Sequence, residues 1–102
     1  MQNHAKVVII GGGVVGCSIL YHLSKFGLKD CILLERNELT SGSSWHAAGN
    51  VHVISSDPNI SRMMAYTIGL YKEIEKESGH SVGFKPSGGF YLASNDVWAD
   101  YL

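Results

Sequence analysis

Val7-Val8-Ile9-Ile10-Gly11-Gly12-Gly13-Val14-Val15-Gly16 is the stretch that decides the fold of this 102-residue chain. Four apolar residues without alternation read as a parallel strand covered on both faces. Gly11 lets the chain turn sharply out of that strand, Gly13 puts no side chain between backbone and an incoming anion, and Gly16 lets the next helix sit close to the sheet. That helix starts with unpaired N–H groups and the positive end of its dipole aimed at the turn. The pattern implies a grip for the diphosphate of a dinucleotide. A second apolar run, 31–34, ends at Glu35, about twenty residues past the last glycine, where a carboxylate accepts hydrogen bonds from ribose hydroxyls. A GxGxxG alone is a weak signal, and a glycine turn without a ligand is its bland reading. Strand, helix and acid in the right order favour the nucleotide.

Outward from this unit, the 14–26 segment places Gly16, Ile19, Leu20 and Leu23 on one stripe, with Ser18, His22 and Lys25 on another. Gly27 stands where a left-handed C-cap is required. Strand, helix and strand make one β-α-β unit with a right-handed crossover. Residues 36–56 lose periodicity and fill with Ser, Gly, Asn and Thr, a loop long enough to suggest function. Asp57 as N-cap and Pro58 at the first helical position open a long helix. Its apolar positions are Ile60, Met63, Met64, Thr67, Ile68, Tyr71 and Ile74, with Glu73, Lys76 and Glu77 on the polar side and Gly79 as the stop. Segments 82–84 and 90–93 flank Lys85-Pro86-Ser87-Gly88-Gly89 and predict a short hairpin. Residues 95–102 begin a further helix, capped by Ser94 or Asn95. The fold class is therefore α/β: a Rossmann-like dinucleotide-binding β-α-β unit, incomplete, followed by a long helix and a short β-hairpin. Two parallel strands are marginal alone. The chain reads as the N-terminal piece of a longer protein, or as one whose missing strands come from another subunit.

Eight Lys and Arg against nine Asp and Glu give a net charge of −1, with no basic cluster, so no nucleic-acid partner is expected. No apolar run is long enough to span a bilayer, so no membrane partner is expected. Met1 lies a few residues before the first strand, which predicts no signal or transit peptide and a cytoplasmic location, with the mitochondrial matrix after processing as the alternative. Cys17 and Cys31 lack CxxC spacing and read as buried thiols. His4, His22, His52 and His80 share no metal-ligand spacing with carboxylates or cysteines, so no metal site is expected.

The sequence 8–16, the strand end Leu33-Leu34-Glu35-Arg36 and the loop Leu39-Thr40-Ser41-Gly42-Ser43-Ser44-Trp45-His46-Ala47-Ala48-Gly49 resemble the N-terminus of the sarcosine and dimethylglycine dehydrogenases. These belong to the D-amino-acid-oxidase-like flavoprotein superfamily. The likeness continues through Leu70-Tyr71, Glu75-Lys76-Glu77-Ser78-Gly79 and Gly88-Gly89-Phe90-Tyr91-Leu92-Ala93-Ser94. It spans nearly the whole chain, and its tryptophan-histidine loop is its most specific part. The resemblance implies that residues 1–102 are the N-terminal part of an FAD-binding oxidoreductase domain. It implies an enzyme that oxidises N-methyl groups of small amino acids by hydride transfer to FAD. By motif position His46 would be joined covalently to the 8α carbon of the flavin. Gly11, Gly13, Val14, Val15 and Gly16 would meet the diphosphate, and Glu35 and Arg36 the adenosine end. Gly42, Ser43, Ser44, Trp45, His46, Ala47, Ala48, Gly49 and Asn50 would wrap the cofactor toward its ring.

A neutral imidazole near physiological pH is a competent nucleophile toward that electrophilic carbon, and the alanines after His46 leave room for a planar ring. The residues alone also allow a hydrogen-bonded loop histidine that only touches the cofactor. No residue here reads as the substrate's base or carboxylate clamp; these, with any folate site, would lie beyond Leu102. Two other readings stay open: a non-covalent amino-acid-oxidase-like flavoprotein, and a non-catalytic nucleotide-binding fragment.

Overall fold

The computed structural model describes residues 4–102. Met1, on which the expectation of no leader rests, lies outside the described residues. The elements in order are β1 (Val7–Ile10), α1 (Val14–Lys25), β2 (Cys31–Leu34), α2 (Pro58–Ser78) and α3 (Asp96–Tyr101). They fall into two compact units, Met1–Gly49 and Asn50–Leu102.

In the first unit β1 and β2 pair in parallel, with Val7 opposite Cys31 and Ile10 opposite Leu34. Such a pair needs a crossover, and α1 supplies it, packing on both strands. The ladder runs one bond past the strands, where the Gly11 N–H donates to Leu34 O at 2.8 Å. Side chains alternate between the faces of a strand, so Ile9 points to α1 and is buried, while Val8 and Ile10 point away and are exposed. The expectation of a strand covered on both faces therefore holds for one face only. α1 ends one residue earlier than predicted, at Lys25. A full Schellman motif closes it: Gly27 takes a φ of 88°, its N–H donates to Ser24 O, and the Leu28 N–H donates to Leu23 O. Cys17 and Cys31 are half-buried free thiols rather than buried ones.

In the second unit α2 starts and stops where the sequence marks it. Asp57 Oδ1 accepts the Asn59 N–H at 2.7 Å, Pro58 follows the cap, and Gly79 adopts a φ of 70° with its N–H on Glu75 O. Met64, Thr67, Ile68, Tyr71 and Ile74 lie half-buried along one stripe, whereas Met63 is exposed. α3 is capped by Asn95, whose side chain accepts the Trp98 N–H.

The expected hairpin does not form. Its turn is present, with the Ser87 N–H donating to Lys85 O at 2.8 Å, but 82–84 and 90–93 are not strands. The first segment is held by α2 instead: Glu75 Oε1 accepts from the Ser81 hydroxyl and the Val82 N–H, and the Phe84 ring lies 5.9 Å from that of Tyr71. With that partner committed elsewhere, Phe90 and Leu92 stand almost fully exposed. Among the described residues no helix is long and apolar enough to cross a membrane.

Candidate functional site

The glycine turn between β1 and α1 is built by what its residues exclude. Gly11 has a φ of 106°, a conformation that a side chain disfavours. A Cβ on Gly16 would stand 1.9 Å from Gly11 O, so the helix can approach the strand end only without one. Gly12, which the motif argument passed over, is the most crowded by side chains: a Cβ there would meet Leu39 Cδ2 at 2.6 Å and Glu35 Cβ at 3.0 Å. A Cβ on Gly13 would meet Ser44 Oγ at 3.1 Å. Gly12, Gly13 and Gly16 thus make room for different neighbours, and three of those neighbours, Glu35, Leu39 and Ser44, come from the segment after β2.

Glu35 ties the turn to the end of β2. Its Oε2 accepts the Gly12 N–H at 2.7 Å and its Oε1 accepts the Asn37 N–H at 3.0 Å. These two backbone donors, Gly12 first, hold the carboxyl below the usual glutamate range; partial burial works in the opposite direction, and Arg36 assists. The acid stays ionised at neutral pH and keeps lone pairs for further donors such as ribose hydroxyls. Arg36 itself is exposed.

The loop after β2 is pinned back onto the turn. The Thr40 N–H donates to Gly12 O at 2.9 Å, and the Cys17 thiol donates to the same oxygen at 3.5 Å. Thr40 takes a φ of 64°, a left-handed conformation that is strained for a β-branched residue. Ser44 then reaches α1: its Oγ accepts the Val14 N–H at 2.8 Å. Gly13, the N-cap residue, has no side chain to do this, so a serine thirty positions on from Val14 caps the helix in its place.

Residues 41–46 turn tightly, with the His46 N–H on Ser43 O and the Ala47 N–H on Ser44 O. His46 Nδ1 lies 3.0 Å from Gly42 O. A carbonyl oxygen only accepts, so Nδ1 carries the hydrogen, and in the neutral ring the lone pair is the one on Nε2. The Trp45 ring lies beside it, centroids 4.3 Å apart and planes at 45°. His22 and His80 are likewise bonded locally, through Nδ1 to Ser18 O and Ser78 O. Among the described residues no cluster of His, Cys, Asp or Glu could hold a metal ion.

The structure therefore brings together Gly11, Gly13, Val14, Gly16, Glu35 and Ser44, with Val15 exposed in the first turn of α1. Trp45 and His46 form a pair within their own turn. Ala47, Ala48 and Gly49 are exposed, and Asn50 opens the second unit. Sequence reasoning missed Gly12, Leu39 and Thr40 as parts of the turn; their roles come from contacts between the turn and a loop distant in sequence, which no local pattern marks. The parts suit a dinucleotide: a turn stripped of Cβ atoms, a helix N-terminus above it and an ionised acid at the next strand end.

Comparison with known proteins agrees. The family model of FAD dependent oxidoreductases matches residues 6–102. Human mitochondrial dimethylglycine dehydrogenase is 46% identical over 97% of this chain, which covers 11% of that protein. Human mitochondrial sarcosine dehydrogenase is 42% identical over 93% of the chain and 10% of its own length. The formaldehyde-forming 4-methylaminobutanoate oxidase of Paenarthrobacter nicotinovorans is 40% identical over 100% of the chain and 12% of its own length. The chain spans about a tenth of the length of these relatives. With the family model covering nearly all of it, the chain belongs to the FAD dependent oxidoreductase family.

Proposed function

We propose that these residues anchor FAD in an enzyme that oxidises the N-methyl group of a small amino acid of the dimethylglycine or sarcosine type, and that His46 is the covalent attachment point. Residues 1–102 then act as the N-terminal part of the FAD-binding domain. Gly11, Gly13 and Gly16 clear the path for the diphosphate, and the first turn of α1 at Val14 and Val15 faces it, with the Val14 N–H itself held by Ser44. Glu35 accepts from the ribose hydroxyls, with Arg36 at the adenosine end. Residues 42–50 run toward the flavin ring. Bound FAD supplies a hydride acceptor and, at its 8α carbon, an electrophile. The names of the relatives support the substrate class, and their mitochondrial labels favour the matrix over the cytoplasm.

The observation that carries the covalent assignment is the hydrogen bond from His46 Nδ1 to Gly42 O, which leaves Nε2 as a free nucleophile on an exposed turn. The test is to denature the protein expressed from its native gene and measure the flavin that stays with the polypeptide. Wild type retains it, and His46→Ala releases it while still taking up FAD reversibly. Release of all the dye from unfolded wild type would refute the covalent assignment and leave the non-covalent flavoprotein. Failure to take up any flavin would leave the non-catalytic one.

A further inference from the structure

We propose that the Gly42 carbonyl and the Trp45 indole are positioning groups for the attachment step, placed to stabilise the positive charge that His46 acquires while its bond to the flavin forms. The inference rests on the reading of His46 as the anchor. With Nδ1 already carrying hydrogen, Nε2 supplies the lone pair for the new N–C bond. The 8α carbon gives up one proton as the bond forms, and the two electrons of the broken C–H bond remain on the isoalloxazine, which is thereby reduced; dioxygen in the assay takes them away afterwards. Until the Nδ1 proton also leaves, the ring is substituted at both nitrogens and cationic.

The turn carries no acid to neutralise that charge: residues 39–50 contain neither Asp nor Glu. Two neutral groups meet the ring instead. Gly42 O receives the Nδ1–H at 3.0 Å, and a hydrogen bond of this kind strengthens as its donor becomes cationic. The Trp45 ring, at 4.3 Å between centroids, is inside the reach over which an aromatic face attracts a cation. Both contacts gain strength as charge develops, the condition for accelerating a step rather than merely holding its reactant. Trp45 is 67% exposed, with its ring against that of His46.

The test compares wild type with Trp45→Phe and Trp45→Leu, each expressed from the native gene under riboflavin limitation and then mixed with FAD. Two quantities are read: the rate at which flavin becomes inseparable from denatured polypeptide, and the affinity for FAD before attachment. Leucine keeps apolar bulk without a π face and should slow attachment about fivefold; phenylalanine should lose less than about twofold. Residue 45 belongs to the stretch that wraps the cofactor, so any loss of affinity should be alike in the two variants and too small to account for the slowing in Trp45→Leu. Attachment at the wild-type rate in Trp45→Leu, or equal slowing by both substitutions, overturns the proposal, as does a loss of affinity that accounts for the slowing. Absence of attachment in wild type would sink the anchor assignment itself, an outcome distinct from normal attachment indifferent to residue 45.

Discussion

Replacing Gly16 with alanine puts one methyl group against a backbone oxygen. The added Cβ would stand 1.9 Å from Gly11 O and 3.1 Å from Gly11 C, with Ile9 Cγ2 at an ordinary 3.4 Å. The obstacle is peptide, which no rotamer change removes, so α1 must slide away from the strand end by more than an ångström or the turn must distort. Overpacking of this kind costs about 1–3 kcal/mol, and a backbone wall places the cost at the upper end. Alanine returns about 1 kcal/mol as a better helix former. The net loss is about 2 kcal/mol, or about thirtyfold in the folded-to-unfolded ratio. Gly69→Ala in α2 is the control, because nothing lies within 4 Å of its added methyl and helix propensity alone acts. It should stabilise by up to about 1 kcal/mol. Urea unfolding of both variants and wild type, followed by far-UV circular dichroism, measures the two shifts, and FAD titration reports whether the turn still receives a diphosphate. Gly16→Ala with wild-type stability and undiminished FAD uptake would refute the claim that helix and strand end are in forced contact.

Two further substitutions probe the same turn. Ser44→Ala removes the acceptor on the Val14 N–H and should cost about 1 kcal/mol in the same urea assay, with faster hydrogen exchange at Val14; unchanged exchange would show that the hydroxyl does not cap α1. Glu35 has its folded value lowered by the Gly12 and Asn37 amides, so its stabilising contribution is fully present above the ordinary glutamate range and is lost as pH falls through the lowered value. Glu35→Gln should therefore lower stability at neutral pH and flatten the acid limb of the stability profile; an unchanged acid limb would show that this carboxylate is not linked to folding.

The β-α-β unit and the borders of α2 were legible because each is written locally. Gly27, Asp57, Pro58 and Gly79 are residues whose own backbone or side chain makes the cap, and each sits where the structure uses it. The hairpin was misjudged because strand formation depends on a partner, and Glu75 and Tyr71 of α2 hold the segment that would have supplied one. Burial of β1 on both faces was an inference from apolar content alone, and only Ile9 obeys it. The glycine motif explained Gly11, Gly13 and Gly16. It could not show that Gly12 is empty for the sake of Leu39 and Glu35, or that Ser44 substitutes for a missing cap, since both depend on how the loop after β2 folds back.

That folding back changes what a nucleotide would meet. Because one glutamate clasps amides from either side of the crossover, the loop's shape is determined by the protein's own peptide groups, and a ligand need not spend its affinity on creating order there. Uptake should then resemble a key entering a cut lock more than clay taking an impression.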